Sequence, residues 1–257
     1  MKTSRFLAAL ALMGWASLME ACDSPPPAAE AAAPLTAQAV IDHAIAAHGG
    51  AAYDTVAVQF RFRDRRYRLR RDHGRYQYER LFVQAGDSLR DVLTNETFTR
   101  YRQGAVEPLS DSLAGLYRNS VNSVAYFALL PYGLNDPAVI KEYLGQETLD
   151  STAYHKIRVT FRQEGGGEDF EDVFIYWIHP DSWQMDYLAY RYHTDGGGLR
   201  FRSVIRTQEV AGIRFQDYAN YKGDPDRLAL EDSGKAFVRD SLTLLSRIEL
   251  EALQALP

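Results

Sequence analysis

Cysteine is nearly absent: the 257 residues contain one, Cys22. A single thiol cannot close an intrachain disulfide, so the stability of the chain must come from packing. Histidine is sparse and scattered, at 43, 48, 73, 155, 179 and 193, and that placement gives no metal-ligand spacing. No Gly-x-Ser-x-Gly elbow, phosphate loop, dinucleotide fingerprint or His-Glu-x-x-His zinc motif occurs. No catalytic residue or cofactor is therefore assigned, and the chain is not read as an enzyme. No apolar run is long enough to span a bilayer comfortably. After residue 35 no Pro, Ser or Gly tract is long enough to separate two domains. Net positive charge is missing too: the formal charge is −5, which makes nucleic acid a poor partner.

What is present begins with Lys2, Arg5 and an apolar run from Phe6 to Leu18, the size of a signal-peptide core. Met19-Glu20-Ala21-Cys22 follows, then Asp23-Ser24-Pro25-Pro26-Pro27 and an Ala-rich stretch to Pro34. Charge, apolar core, small residue, cysteine and tether, in that order, resemble a lipoprotein signal. Residues 1–21 are expected to be the signal, Cys22 the site of lipid attachment and 22–34 a flexible tether. Met19 and Glu20 depart from the usual lipobox. Ordinary cleavage after Ala31, where Ala29-Glu30-Ala31 fits a small-x-small pattern, is the alternative and would free the protein. Loss of Lys2, Arg5 and Glu20 with the signal moves the formal charge from −5 to −6.

The rest, 35–257, reads as one domain. A helix is predicted from about Thr36 to His48, because Val40, Ile41, Ala44 and Ile45 recur at helical spacing and Gly49-Gly50 supplies a stop. His48 in its last turn suits the helix dipole as an imidazolium. Val58, Phe60 and Phe62 then alternate with Gln59, Arg61 and Arg63, and the alternation turns at Asp72-His73-Gly74 and returns through Tyr76 and Tyr78. One face is dry and the other wet, as in an antiparallel meander. The arginines crowded between 61 and 71 fit that wet face; phosphates or lipid head groups are the alternative partners. A second helix runs through Leu113, Leu116, Tyr117, Val121, Val124 and Ala128 to Pro131, and a third is predicted from Asp136 as N-cap and Pro137 at the first position to Gly145 as stop. Strands resume with Ile157, Val159 and Phe161, and Val173 to Ile178, apolar on both faces, reads as a central strand. Further strands are predicted to about Leu250, with the last two segments near Ala236 to Leu250. The fold class is mainly β (α+β): one large curved antiparallel sheet, an incomplete barrel of about ten strands wrapped around about three helices.

A sheet curved in this way leaves a concave face that can hold an apolar ligand. The expected cavity residues are Phe60, Phe62 and Phe161 from strands, with Tyr117, Arg118, Asn119, Val121, Asn122 and Tyr126 from the second helix. Asn119, Ser120, Asn122 and Ser123 need a reason on a helix, since asparagine is a mediocre helix former. Either they form a polar end to the cavity, or they bond to the sheet and face water. Glu164, Glu168, Asp169, Glu171 and Asp172 beside Gly165-Gly166-Gly167 are the one candidate for Ca²⁺ binding or acid–base hydrolysis, although solvated carboxylates at a hairpin would look the same.

The segments His48-Gly49-Gly50, Asn119-Ser120-Val121-Asn122-Ser123-Val124-Ala125-Tyr126-Phe127, Leu129-Leu130-Pro131, Leu134-Asn135-Asp136-Pro137 and Gly167-Glu168-Asp169-Phe170-Glu171-Asp172-Val173 together resemble envelope lipoproteins of Bacteroidota-type bacteria with no assigned activity. The resemblance spans nearly all of 38–250. That family in turn is similar to the lipoprotein-carrier and lipoprotein-receptor (Lol-type) half-barrels, and the resemblance implies an incomplete barrel around a hydrophobic cavity. The expectation is a lipid-anchored protein of the cell envelope, at the outer membrane, with the leaflet left open. It binds or carries an acyl chain or a lipidated molecule, and its partners are the membrane and a lipid or lipoprotein. It is expected to be a monomer without nucleic-acid partners. The alternatives are an assembly lipoprotein with a filled core, and a hydrolase or metal protein using the 164–172 cluster.

Overall fold

The computed structural model describes residues 34–167 and 169–257. The export segment, Cys22, almost all of the tether and Glu168 lie outside the described residues. Helix α1 (Ala37–His48) starts where Thr36 Oγ1 accepts the Ala39 N–H at 3.1 Å and stops at Gly49, whose φ of 154° only glycine tolerates readily. It buries Val40, Ile41, Ala44 and His48.

A seven-stranded antiparallel sheet follows: β1 (Ala57–Phe62), β2 (Arg65–Asp72), β3 (Arg75–Gln84), β4 (Asp87–Thr94), β5 (Phe98–Arg102) and β6 (Ala105–Val106), with the last strand of the chain, β14 (Glu251–Ala255), beside β1. Its tight turns place both residues at positive φ, as at His73-Gly74 and Ala85-Gly86, which matches the twist of the flanking strands. Val58, Phe60, Tyr67, Leu69 and Tyr78 point inward and are buried. Arg61, Arg66 and Arg70 are exposed on the other face, where Arg61 pairs with Glu251 and Arg90 with Glu79. The wet-face reading therefore holds for these arginines. Arg71 instead turns inward, 4.5 Å over the Tyr132 ring.

Helix α2 (Asp111–Ala128) is capped by Ser110, whose Oγ accepts the Leu113 N–H. The second sheet comprises β7 (Val139–Leu149), β8 (Thr152–Phe161), β9 (Val173–Ile178), β10 (Met185–Tyr192), β11 (Gly198–Val210), β12 (Ile213–Gly223) and β13 (Thr243–Ile248), in the order β13-β12-β11-β10-β9-β8-β7. All of its pairings are antiparallel, and β9 lies in the interior of the sheet with five of its six residues buried. The C-terminal strand thus serves both sheets, β13 in one and β14 in the other, while β6 and β7 are left as open edges. The product is an open half-barrel, not a closed one.

Three expectations need correction. The predicted helix from Asp136 to Leu144 is a short 3-10 turn, Tyr132–Asn135, followed by strand β7. Asp136-Pro137 mimics a helix start, but Val139, Lys141 and Tyr143 alternate with Ile140, Glu142 and Leu144 and pair with β8; Gly145, at φ 87°, sits in a bulge between Tyr143 and Gln146. The third helix is α3 (Ser233–Val238), in a segment expected to be strand. It packs on the opposite face of the second sheet from α1, with Phe237 against Phe201 at 4.7 Å and Trp177 and Leu149 in the same cluster. The described residues contain fourteen strands, more than the ten or so expected; β7 and the two-residue β6 are the ones not foreseen. Among the described residues no helix is long and apolar enough to cross a membrane.

Candidate functional site

Helix α2 carries three stripes with three different environments. Val121, Ala125 and Ala128 are buried in the core with Val58, Phe60 and Tyr53. Tyr117 and Ser120 face the first sheet, where two arginines share one carboxylate. Arg80 Nε and Arg100 Nε donate to Asp91 at 2.8 and 2.6 Å, Arg80 Nη1 donates to Ser120 Oγ at 2.7 Å, and Arg100 lies 3.6 Å over the Tyr117 ring. The third stripe, Asn119, Asn122, Ser123 and Tyr126, spaced i, i+3, i+4 and i+7, looks onto the second sheet across a cavity of about 530 Å³. That volume lies in the range of small-molecule sites.

Of the nine residues expected to form a cavity, Phe62, Asn119, Asn122, Tyr126 and Phe161 line this one. Phe60 and Val121 do not: both are buried in the core, Phe60 stacked on Tyr67 at 5.6 Å and Val121 fully enclosed. Tyr117 belongs to the arginine cluster, and Arg118 is exposed outside the lining. The error has a simple geometric cause. Adjacent helical residues are about 100° apart, so Val121 and Asn122 cannot look the same way.

The opposite wall was missed by sequence reasoning. It consists of Phe174 on β9, Tyr190 on β10, Arg200 and Arg202 on β11 and Tyr218 on β12, with Phe127 of α2 facing them. Phe174 and Tyr190 stack at 5.2 Å, and Phe127 tilts against both. Tyr126 Oη and Tyr176 Oη share a hydrogen bond of 3.2 Å, and burial pushes the Tyr126 hydroxyl up to about 12, so it stays protonated. In Leu199-Arg200-Phe201-Arg202 the pattern alone puts Leu199 and Phe201 inward and the arginines in water. Helix α3 covers the Leu199 and Phe201 side, so that the arginine side is the one facing the concave interior.

Of the acidic cluster, Asp169 and Asp172 line the cavity mouth. Burial, and then the charge of Asp169, raise the Asp172 carboxyl to about 6, against the pull of His193, whose Nδ1 is 3.7 Å away. Glu168 lies outside the described residues, and among those described no three His, Cys, Asp or Glu are placed to hold a metal. His48 does not act as an imidazolium at the helix end. Its Nε2 accepts the Met185 N–H at 3.1 Å, and burial, with Arg214 adding to it, lowers its pKa to about 4.

These features define a class: an open antiparallel half-barrel in which α2 buries one stripe in a packed core and lines a cavity with another. The chain belongs to the DUF6503 family, described as a family of unknown function, which matches residues 30–249. No curated protein matches the sequence. Among solved structures, it is similar to a LolA superfamily protein from Nitrosomonas europaea at 14% identity and a TM-score of 0.41, over 74% of this chain and 87% of that one. It is also similar to a DUF1329 family protein from Desulfovibrio piger at 12% identity and a TM-score of 0.41, over 85% and 92%. At such scores the cavity has to be read from its own residues.

Proposed function

We propose that this protein is an envelope lipoprotein, anchored through Cys22, that binds an apolar chain in the cavity between α2 and the second sheet. The observation that carries the reading is the wall itself: Phe127, Phe161 and Tyr190 are only partly buried and, with Phe174 packed among them, turn ring surface to the cavity. Interiors pack at the density of organic crystals, so a cavity of this size, walled in part by aromatic rings, is a place for another molecule. Burying one methylene contributes about 0.8 kcal/mol, so a ten-carbon chain would contribute about 8 kcal/mol before the entropy of binding is subtracted.

The test is to purify the full chain carrying Cys22→Ala, extract it with organic solvent and analyse the extract by mass spectrometry. An acyl-bearing molecule near one equivalent per chain is expected. A clean extract, with no binding of a hydrophobic dye to the protein afterwards, would overturn the reading.

A further inference from the structure

The most buried cation in the cavity lining is Arg202, which is only 7% exposed. Its guanidinium lies 3.9 Å over Phe127, 5.2 Å from the Tyr190 ring and 5.9 Å from that of Tyr218. Nη2 donates to Tyr190 Oη at 2.9 Å, and Nε has no acceptor. Among the described residues no carboxylate lies within ion-pair distance of it. Three other strand-borne arginines are held by carboxylates instead. Arg80 and Arg100 are both held by Asp91, and Arg206, four residues further along β11, donates to Asp217 at 2.5 Å.

An arginine keeps its charge in any protein setting and carries five N–H donors. Taking it out of water without a counter-charge is costly, and three aromatic faces compensate only part of that cost. Arg200, two residues earlier on the same face of β11, repeats the arrangement: Nη2 donates to Tyr192 Oη at 2.5 Å, the group lies 5.0 Å over the Tyr192 ring, and no described carboxylate pairs with it. Tyr190 Oη accepts from Arg202, and among the described residues its own proton is in no hydrogen bond. Two cations and a hydroxyl donor therefore stand on one wall of a cavity that also holds the rings of Phe62, Phe127, Phe161 and Phe174, with Asp169 and Asp172 elsewhere in its lining.

We propose that the occupant is an amphiphile with an anionic head, a carboxylate or phosphate on an acyl chain, and that Arg202 binds the head while the rings hold the chain. This rests on the reading of the cavity as a site for an apolar chain, and it adds the sign of the head group and the residue that selects it. The guanidinium fork suits both anions, because each offers two oxygens in its plane.

The experiment uses the full chain carrying Cys22→Ala, freed of endogenous ligand, with N-phenyl-naphthylamine as a neutral fluorescent occupant. Hexadecanoate, hexadecyl phosphate, hexadecanol and inorganic phosphate compete for it. At least one of the two anionic amphiphiles should displace the dye at a concentration about tenfold or more below hexadecanol, and whichever does so identifies the head. Inorganic phosphate should have no effect. Arg202→Gln and Arg202→Met should lose the preference and keep hexadecanol binding, whereas Arg202→Lys should keep part of it. Equal competition by hexadecanol and both anions in the parent protein would overturn the proposal while leaving the apolar site intact, as would a preference unchanged in Arg202→Gln. Displacement by inorganic phosphate at the concentration of hexadecyl phosphate would also overturn it, by showing a site for a free anion. Failure of the dye and of every amphiphile to bind would instead remove the apolar site itself.

Discussion

Two buried ionisable residues show how single side chains report on the fold. His48 is fully enclosed and accepts a backbone N–H, so protonation would both charge a buried ring and break that bond. Its folded pKa of about 4 is below the ordinary 6.5, so the stability it supplies is present above about 6.5 and is lost as pH falls towards 4. Asp172 is the reverse case. Its folded pKa of about 6 is above the ordinary 3.8, so its contribution is present below about 3.8 and is lost as pH rises through 6. At 1.36 kcal/mol per pKa unit the ceilings are about 3 to 4 kcal/mol for His48 and about 3 kcal/mol for Asp172. Relative to the parent, His48→Gln should therefore gain stability as pH falls through this window, and Asp172→Asn should gain it as pH rises. Urea unfolding of the two variants across the window measures both slopes. Slopes of the same sign, or none, would show that these burial effects are misassigned.

At the scale of an element, α2 is one helix doing three jobs, and neighbouring residues should respond oppositely to the same substitution. Val121 is 0% exposed in a packed core, so Val121→Trp must displace its neighbours and should cost about 1 to 3 kcal/mol. Ser123 is exposed and lines the cavity, so Ser123→Trp has room and should change stability by no more than about 0.5 kcal/mol. The tryptophan at 123 should instead reduce dye binding. Thermal unfolding and dye titration on the pair decide this; a Ser123→Trp protein that binds the dye like the parent would show that the cavity lies elsewhere. The helical stripe was legible from spacing, and so was the polar stripe beside it. Which stripe met a packed core and which met open space was not legible, because both sheets offer apolar residues to the helix.

For the whole molecule, the prediction concerns location. If Cys22 carries the anchor, the chain with Cys22→Ala should move from the membrane pellet to the soluble fraction, and its ligand binding should be unaffected because the cavity is built entirely from residues after 61. Retention of the variant in the pellet would show that membrane association, if any, uses another feature. Among the described residues no helix is long and apolar enough to cross a membrane.

The amino-acid sequence by itself determined the antiparallel character, the turn at His73-Gly74, α1 with its glycine stop, the helical stripe of α2, and the buried strand Val173–Ile178. These follow from local periodicity and turn chemistry, which the chain cannot escape wherever it packs. Only the tertiary structure decided that Val139–Leu149 is a strand, since the pairing with β8 outweighs the helix-start signal of Asp136-Pro137. It alone also decided which side of β11 faces the interior. A period-two pattern says that two faces differ but not which is covered. Here α3, folding over Leu199 and Phe201 from residues 233–238, leaves Arg200 and Arg202 on the wall of the cavity.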